Sequence, residues 1–181
     1  MPRVLGFDVS ANRIAWALAD GGGVAKIGIV RRKAGLSLPD FVNFAARNIR
    51  TLILTSAEID ATCIEVNLRP AMMNKGRQSP NMVKAYMRSR WIEGALLMAL
   101  KIDEPQLITK LKGGYHRLPE GRSLGLQASA GANAKERRRE RMMLLYKFIT
   151  KKISEDEIDA LAVAHECVIA LTTGVRKEKA E

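Results

Sequence analysis

Short apolar runs bounded by turn residues occupy the first thirty positions, and helical spacing takes over after residue 40. Residues 3 to 9, Ile14 to Leu18 and Val24 to Val30 have the length and composition of strands. Joined by Asp20-Gly21-Gly22-Gly23, they predict a three-stranded antiparallel meander. The triple glycine lies between strand-like runs and no Lys-Ser/Thr follows it, so it reads as a hairpin turn and not as a phosphate loop. A linker ends at Pro39, and Phe41, Phe44, Ala45, Ile49, Leu52 and Ile53 recur as one face of a helix reaching about Thr55.

Ala61 to Val66 forms a further strand, followed by a loop from Asn67 to Gln78. Ser79-Pro80 supplies a cap and first-turn proline for a helix to about Leu100. That helix carries Met82, Val83, Tyr86, Met87, Trp91, Ala95, Leu96 and Leu100, more apolar residues than one covered face requires. A dimer interface and a fully buried core helix both account for it. Gln106 to Leu111 reads as another strand, Gly113 to Gly131 as a glycine-rich basic loop, and Lys135 to Ile149 as a helix. The last helix runs from Ser154 to about Thr172, with Gly174 as its stop and 175–181 as a charged tail. The order predicts one α/β domain over 1–174, built on a mixed five-stranded sheet, three antiparallel strands then parallel ones, flanked by helices.

Composition narrows the partners. The chain of 181 residues has 30 Lys and Arg against 19 Asp and Glu, a formal charge of +11, which points to a polyanion such as nucleic acid. Basic residues cluster as Lys75 and Arg77, Lys110 and Lys112, Arg117 and Arg122, and then Arg137, Arg138, Arg139 and Arg141. Together they read as a phosphate-contact surface. Cys63 and Cys167 lie outside any CxxC pair, and the expectation is two buried thiols without disulfide or zinc. A leader pattern and apolar runs of about 18 residues are both missing, so a cytoplasmic protein with no membrane partner is expected.

Candidate chemistry rests on acids in apolar surroundings. Asp8 sits in Val-Leu-Gly-Phe-Asp-Val-Ser, where a carboxylate costs several kcal/mol unless a cation or metal compensates it. Glu65 holds the corresponding place in Cys-Ile-Glu-Val. Asp156 and Asp159, three residues apart, share one helical face. Ser154 and Glu157 also match a capping box, which explains the first-turn acids by helix-end electrostatics but does not explain Asp159. If these acids converge, their oxygen-only ligation suits a pair of magnesium ions, with manganese able to substitute.

These strings, together with Asp-Glu-Ile-Asp-Ala-Leu-Ala-Val-Ala, resemble the three acidic motifs of RuvC-type Holliday junction resolvases of the ribonuclease H-like superfamily. The similarity spans nearly the whole chain. It implies a ribonuclease H-like fold and a homodimeric, magnesium-dependent endonuclease that resolves four-way DNA junctions by paired symmetric nicks. By resemblance Asp8, Glu65, Asp156 and Asp159 are the catalytic acids and metal ligands, and Lys135 lies where the family keeps a lysine near the scissile phosphate. Where the family places an aromatic residue after the strand-four glutamate, this chain has Leu68 and then Met72 and Met73 as junction-loop residues. The long 113 to 131 loop resembles bacteriophage relatives, implying action in a bacterial or phage-infected cytoplasm. No small-molecule cofactor is expected. The rival expectations are a nuclease of the same fold acting on other branched DNA, flaps or RNA, and a junction-binding protein without chemistry.

Overall fold

The sheet starts with the expected meander: β1 (Arg3–Val9), β2 (Arg13–Asp20) and β3 (Ala25–Arg31) pair antiparallel throughout. At the turn between β2 and β3 Asp20 Oδ1 accepts from Gly22 N at 2.9 Å and Gly23 takes φ +81°, a left-handed conformation that glycine adopts without strain. The remaining elements are α1 (Leu38–Leu54), β4 (Ala61–Glu65), α2 (Pro80–Leu100), β5 (Gln106–Leu111), β6 (Gly114–Arg117), α3 (Ala134–Leu145) and α4 (Glu155–Glu178). They belong to a computed structural model that describes residues 1–23, 25–54, 58–66, 80–111, 114–117, 134–146 and 153–178.

The strand order is β3-β2-β1-β4-β5-β6, with β4 parallel to β1 and β5 parallel to β4. This is the mixed sheet read from the sequence, with six strands instead of five. The added strand, β6, pairs antiparallel with β5 and is cut from the start of the stretch read as a glycine-rich loop. Its four residues, Gly-Tyr-His-Arg, are too short a run for alternation to reveal, and pairing with β5 is what makes them a strand. Residues 118–133 lie outside the described residues, as does the 67–79 loop.

Both sheet faces are covered, which is why β1 is almost continuously apolar. Leu5, Phe7 and Val9 face the layer formed by α1 and α2, where Phe41, Ala45, Ile49, Ile92 and Leu96 are buried. Val4, Ala15, Ala17 and Cys63 face the opposite layer, where Leu161, Ala164 and Cys167 of α4 and Met142 of α3 are buried. Ser37 caps α1, its Oγ accepting from Asp40 N at 3.2 Å. α2 ends where Lys101 takes φ +58° and Ile102 N donates to the Leu97 carbonyl at 2.9 Å.

Two expectations are corrected. Gly174 does not stop the last helix, which stays helical to Glu178, because glycine permits the left-handed cap without imposing it. Cys63 and Cys167 are a disulfide and not two thiols, although 104 positions separate them. Cys63 points from β4 toward α4, and Cys167 from α4 toward the sheet. Only this long-range packing pairs them, so sequence spacing carried no sign of it.

Candidate active site

Strand register brings the first two acids together. β1 and β4 run parallel with Phe7 opposite Ile64, so Asp8 and Glu65 are the next residues along adjacent strand ends. Side chains alternate across a strand. Asp8 therefore shares the face of Val4, and Glu65 that of Cys63, both turned toward α4. Each is half-buried.

α4 is held unusually close to β1 at this point. A Cβ added at Gly6 would stand 2.5 Å from the Ala160 carbonyl oxygen and 2.7 Å from the Ala164 nitrogen. Only glycine leaves room for the helix backbone there. Ala160 follows Asp159 directly, so this close approach and the Cys63–Cys167 bond position the acidic N-terminus of α4 against the strand ends.

The two explanations for the acids of that helix separate cleanly. Glu157 is the capping residue: it is buried, its Oε2 accepts from Ser154 N at 2.9 Å, and its own N donates to Ser154 Oγ at 3.4 Å. Asp156 and Asp159 take no part in that box and meet cations instead. Arg13 Nη1 of β2 contacts Asp156 Oδ2 at 2.7 Å, and Arg138 of α3 pairs with Asp159. Among the described residues no three His, Cys, Asp or Glu side chains stand together closely enough to hold a metal ion. The donor set at this end of the sheet is nonetheless carboxylate oxygen alone, the chemistry that suits magnesium or manganese. In the arrangement seen, arginines supply the positive charge.

The basic residues read from the sequence are distributed unevenly. Arg138 is turned inward onto Asp159, with its side chain only 9% exposed, whereas Arg139 and Arg141 are exposed on α3. Lys135 and Arg137 belong to α3, Lys110 to β5 and Arg117 to β6, with side chains outside the described residues. Lys75, Arg77, Lys112 and Arg122 lie wholly outside them, as do Leu68, Met72 and Met73.

Sequence reasoning passed over two residues. Arg13 was missed because an arginine at a strand start is ordinarily a solvated flank. Its parity with Ala15, which pairs with Asp8, was the available signal. Glu93 is the sole acid in the α2 sequence and is buried. It forms an ion pair with Arg90 at 2.9 Å. Burial pushes its carboxyl up to about 7, Arg90 opposes that rise, and the nearby Glu65 charge adds to it. A fifth carboxyl thus lies within electrostatic reach of Glu65.

No protein-family model and no curated protein sequence matches the chain. Among solved structures it is similar to Thermus thermophilus RuvC in complex with a Holliday junction substrate, at 13% identity and TM-score 0.65, covering 96% of this chain and 97% of that one. A second Thermus thermophilus RuvC structure gives 13% identity and TM-score 0.60 over 95% and 96% of the two chains. At such low identity the likeness speaks for architecture. The mixed sheet and its helices form a ribonuclease H-like fold of the RuvC kind.

Proposed function

We propose that the protein is a homodimeric, magnesium-dependent endonuclease that resolves four-way DNA junctions by paired symmetric nicks, in the cytoplasm of a bacterial or phage-infected cell. The observation that carries this is that strand register sets Asp8 beside Glu65 while α4, whose first turns bear Asp156 and Asp159, packs its Ala160 backbone against Gly6, in a chain of charge +11. The similarity in fold to a protein solved with a Holliday junction substrate supports the choice of DNA.

Asp8, Glu65 and Asp159 would hold the ions, and Asp156 would complete the site or orient the attacking water. When bound, two divalent ions supply water activation and charge neutralisation at the scissile phosphate. To hold an ion Asp159 would have to be released by Arg138, and Asp156, where it joins the site, by Arg13, which would leave the guanidiniums for phosphate oxygens. Lys135 would offset charge developing on the phosphate, and exposed Arg139 and Arg141 would hold the backbone beside it.

The dimer is supported by α2. Met87, Trp91 and Met98 are exposed by 62%, 46% and 81% at helical spacing, and Gly94 lies between them with open space above it. Such a stripe suits a two-fold helix pair, and two symmetric cuts need two protomers.

A second reading is favoured by the arginine-held carboxylates: a protein that binds DNA junctions without cutting them. The test compares the wild type with Asp8→Asn on a labelled four-way junction and a matching linear duplex, in magnesium, manganese or EDTA, scoring binding and cleavage separately. Paired metal-dependent nicks in the junction, lost in a variant that still binds, support the resolvase. Equal cutting of branched and linear DNA would replace it with a general nuclease of the same fold. Binding without cleavage in any metal supports the non-catalytic reading.

A further inference from the structure

Away from the acids, the outer face of α1 and the end of the edge strand β3 enclose an open groove of about 610 Å³. Among the described residues that line it the cations are Arg31, Lys33, Arg47 and Arg50, and the acid is Asp40. The Ser37 hydroxyl donates to that carboxylate at 2.5 Å, which spreads its charge. Arg31, Lys33, Arg47 and Arg50 are all exposed, and Phe44 lies 41% exposed within the lining.

The arrangement is not a random scatter of surface charge. Asp40, Asn43, Arg47 and Arg50 recur at three- and four-residue spacing, so they share one face of α1, opposite the buried Phe41, Ala45 and Ile49. The Arg50 guanidinium donates to the Ala99 carbonyl, which ties one end of the row to the end of α2 and holds that cation in place. At the other end, Arg31 is paired in register with Arg13, the arginine that holds Asp156. Arg31 therefore stands at the sheet end that carries the acids, one strand beyond Arg13, and the groove runs from there along α1, on the sheet face opposite α4. From Asn43 to Arg50 the helix rises about 10 Å, roughly the axial length of three base pairs.

We propose that this groove is a second DNA-binding site, which grips the sugar–phosphate backbone of a substrate arm after it has passed the carboxylates. Arginine forks and a lysine ammonium suit phosphate oxygens, and the partly exposed Phe44 ring offers apolar contact to the sugars between them. An acidic protein segment is the competing occupant. DNA is favoured because Arg31 brings one end of the groove to the sheet end that carries the acids and because the whole chain carries a polyanion-seeking charge. The site extends the DNA reading of the protein, but it is tested by binding alone.

The experiment measures equilibrium binding of a fluorescent four-way junction in EDTA, over a range of salt, by full-length wild type, Lys33→Ala/Arg47→Ala, and Lys26→Ala. Lys26 is exposed on the same strand but does not line the groove. Each phosphate contact contributes about 0.9 to the slope of log affinity against log salt. The double variant should lose about 10-fold or more in affinity near 0.1 M salt, and its slope should be shallower by about 2. Lys26→Ala should leave the slope unchanged, and Arg47→Lys in place of Arg47→Ala should recover part of the affinity. A double variant with wild-type affinity and slope overturns the proposal, as does a loss matched by Lys26→Ala, which would reduce the groove to bulk charge. Because no cleavage is scored, failure of the nuclease reading leaves this test intact.

Discussion

Gly6→Ala tests the link between packing and the proposed site. The added methyl carbon would lie 2.5 Å from the Ala160 oxygen and 2.7 Å from the Ala164 nitrogen, against an ordinary contact of at least 3.4 Å. Both obstacles are backbone atoms of α4, so no side-chain rotation relieves them. The helix must retreat from β1 by about 0.9 Å, or the strand must bend by a similar amount. Overpacking of this kind costs about 1–3 kcal/mol. For a chain of this size each kcal/mol lowers Tm by about 2–4 °C. The retreat also carries Asp159, next to Ala160, away from Asp8. A misplacement near 1 Å costs catalysis on the order of 100-fold, whereas a DNA surface made of separate cations should be little affected. Urea denaturation gives the stability change, and junction cleavage and binding at matched folded fraction give the rest. If Gly6→Ala matches the wild type in stability and cleavage rate, then α4 is not held against β1 as described, and the account of how the acids converge fails.

Three further predictions concern other parts of the molecule. Glu166 is fully buried on α4, neither of its carboxylate oxygens has a hydrogen-bond partner among the described residues, and burial raises its carboxyl to about 8 while Arg141 opposes the rise. The folded state therefore favours the protonated form. Stability from this group is fully present below about pH 4.5 and is lost as pH rises through about 8, by on the order of a few kcal/mol in all. Tyr146, whose hydroxyl is bonded to His165 Nδ1 at 2.8 Å, is pushed up to about 12 by burial first, with the Asp20 and Glu166 charges adding to the rise. Glu166→Gln should flatten the pH dependence of chemical denaturation between pH 5 and 9, and an unchanged curve would refute the assignment. Reducing Cys63–Cys167, a bond closing 104 positions, should lower stability by about 2–5 kcal/mol, read by denaturation with and without dithiothreitol alongside a free-thiol count. Two titratable thiols in protein purified without reductant would contradict the bond. Trp91→Glu with Met98→Glu should convert a dimer to monomer in sedimentation at micromolar concentration, since loss of a buried anchor of about 2 kcal/mol weakens association about 30-fold. A dimer that survives both changes is not built on α2.

Much of the fold was legible in the sequence because it is written in local periodicity. The antiparallel meander follows from three strand-like runs and a glycine turn, and most of the covered face of α1 follows from spacing, whereas for α2 spacing left a dimer face and a buried core helix both open. The acids Asp8 and Glu65 stood out for the same reason: a carboxylate in an apolar run breaks a pattern visible within seven residues. What the sequence could not carry was anything decided by pairing across the chain. β6 is a strand only because β5 lies beside it, and Cys63 meets Cys167 only because α4 crosses β4. Arg13 and Arg138 read as solvated or DNA-facing cations until Asp156 and Asp159 are set against them. Gly6 looks like any glycine in a strand until the Ala160 carbonyl arrives above it. Local patterns are set by side-chain alternation and helical pitch, which neighbouring residues determine among themselves. The partner of a charge, a thiol or a missing Cβ is set by the tertiary packing of elements far apart in the chain, and only the folded structure supplies it.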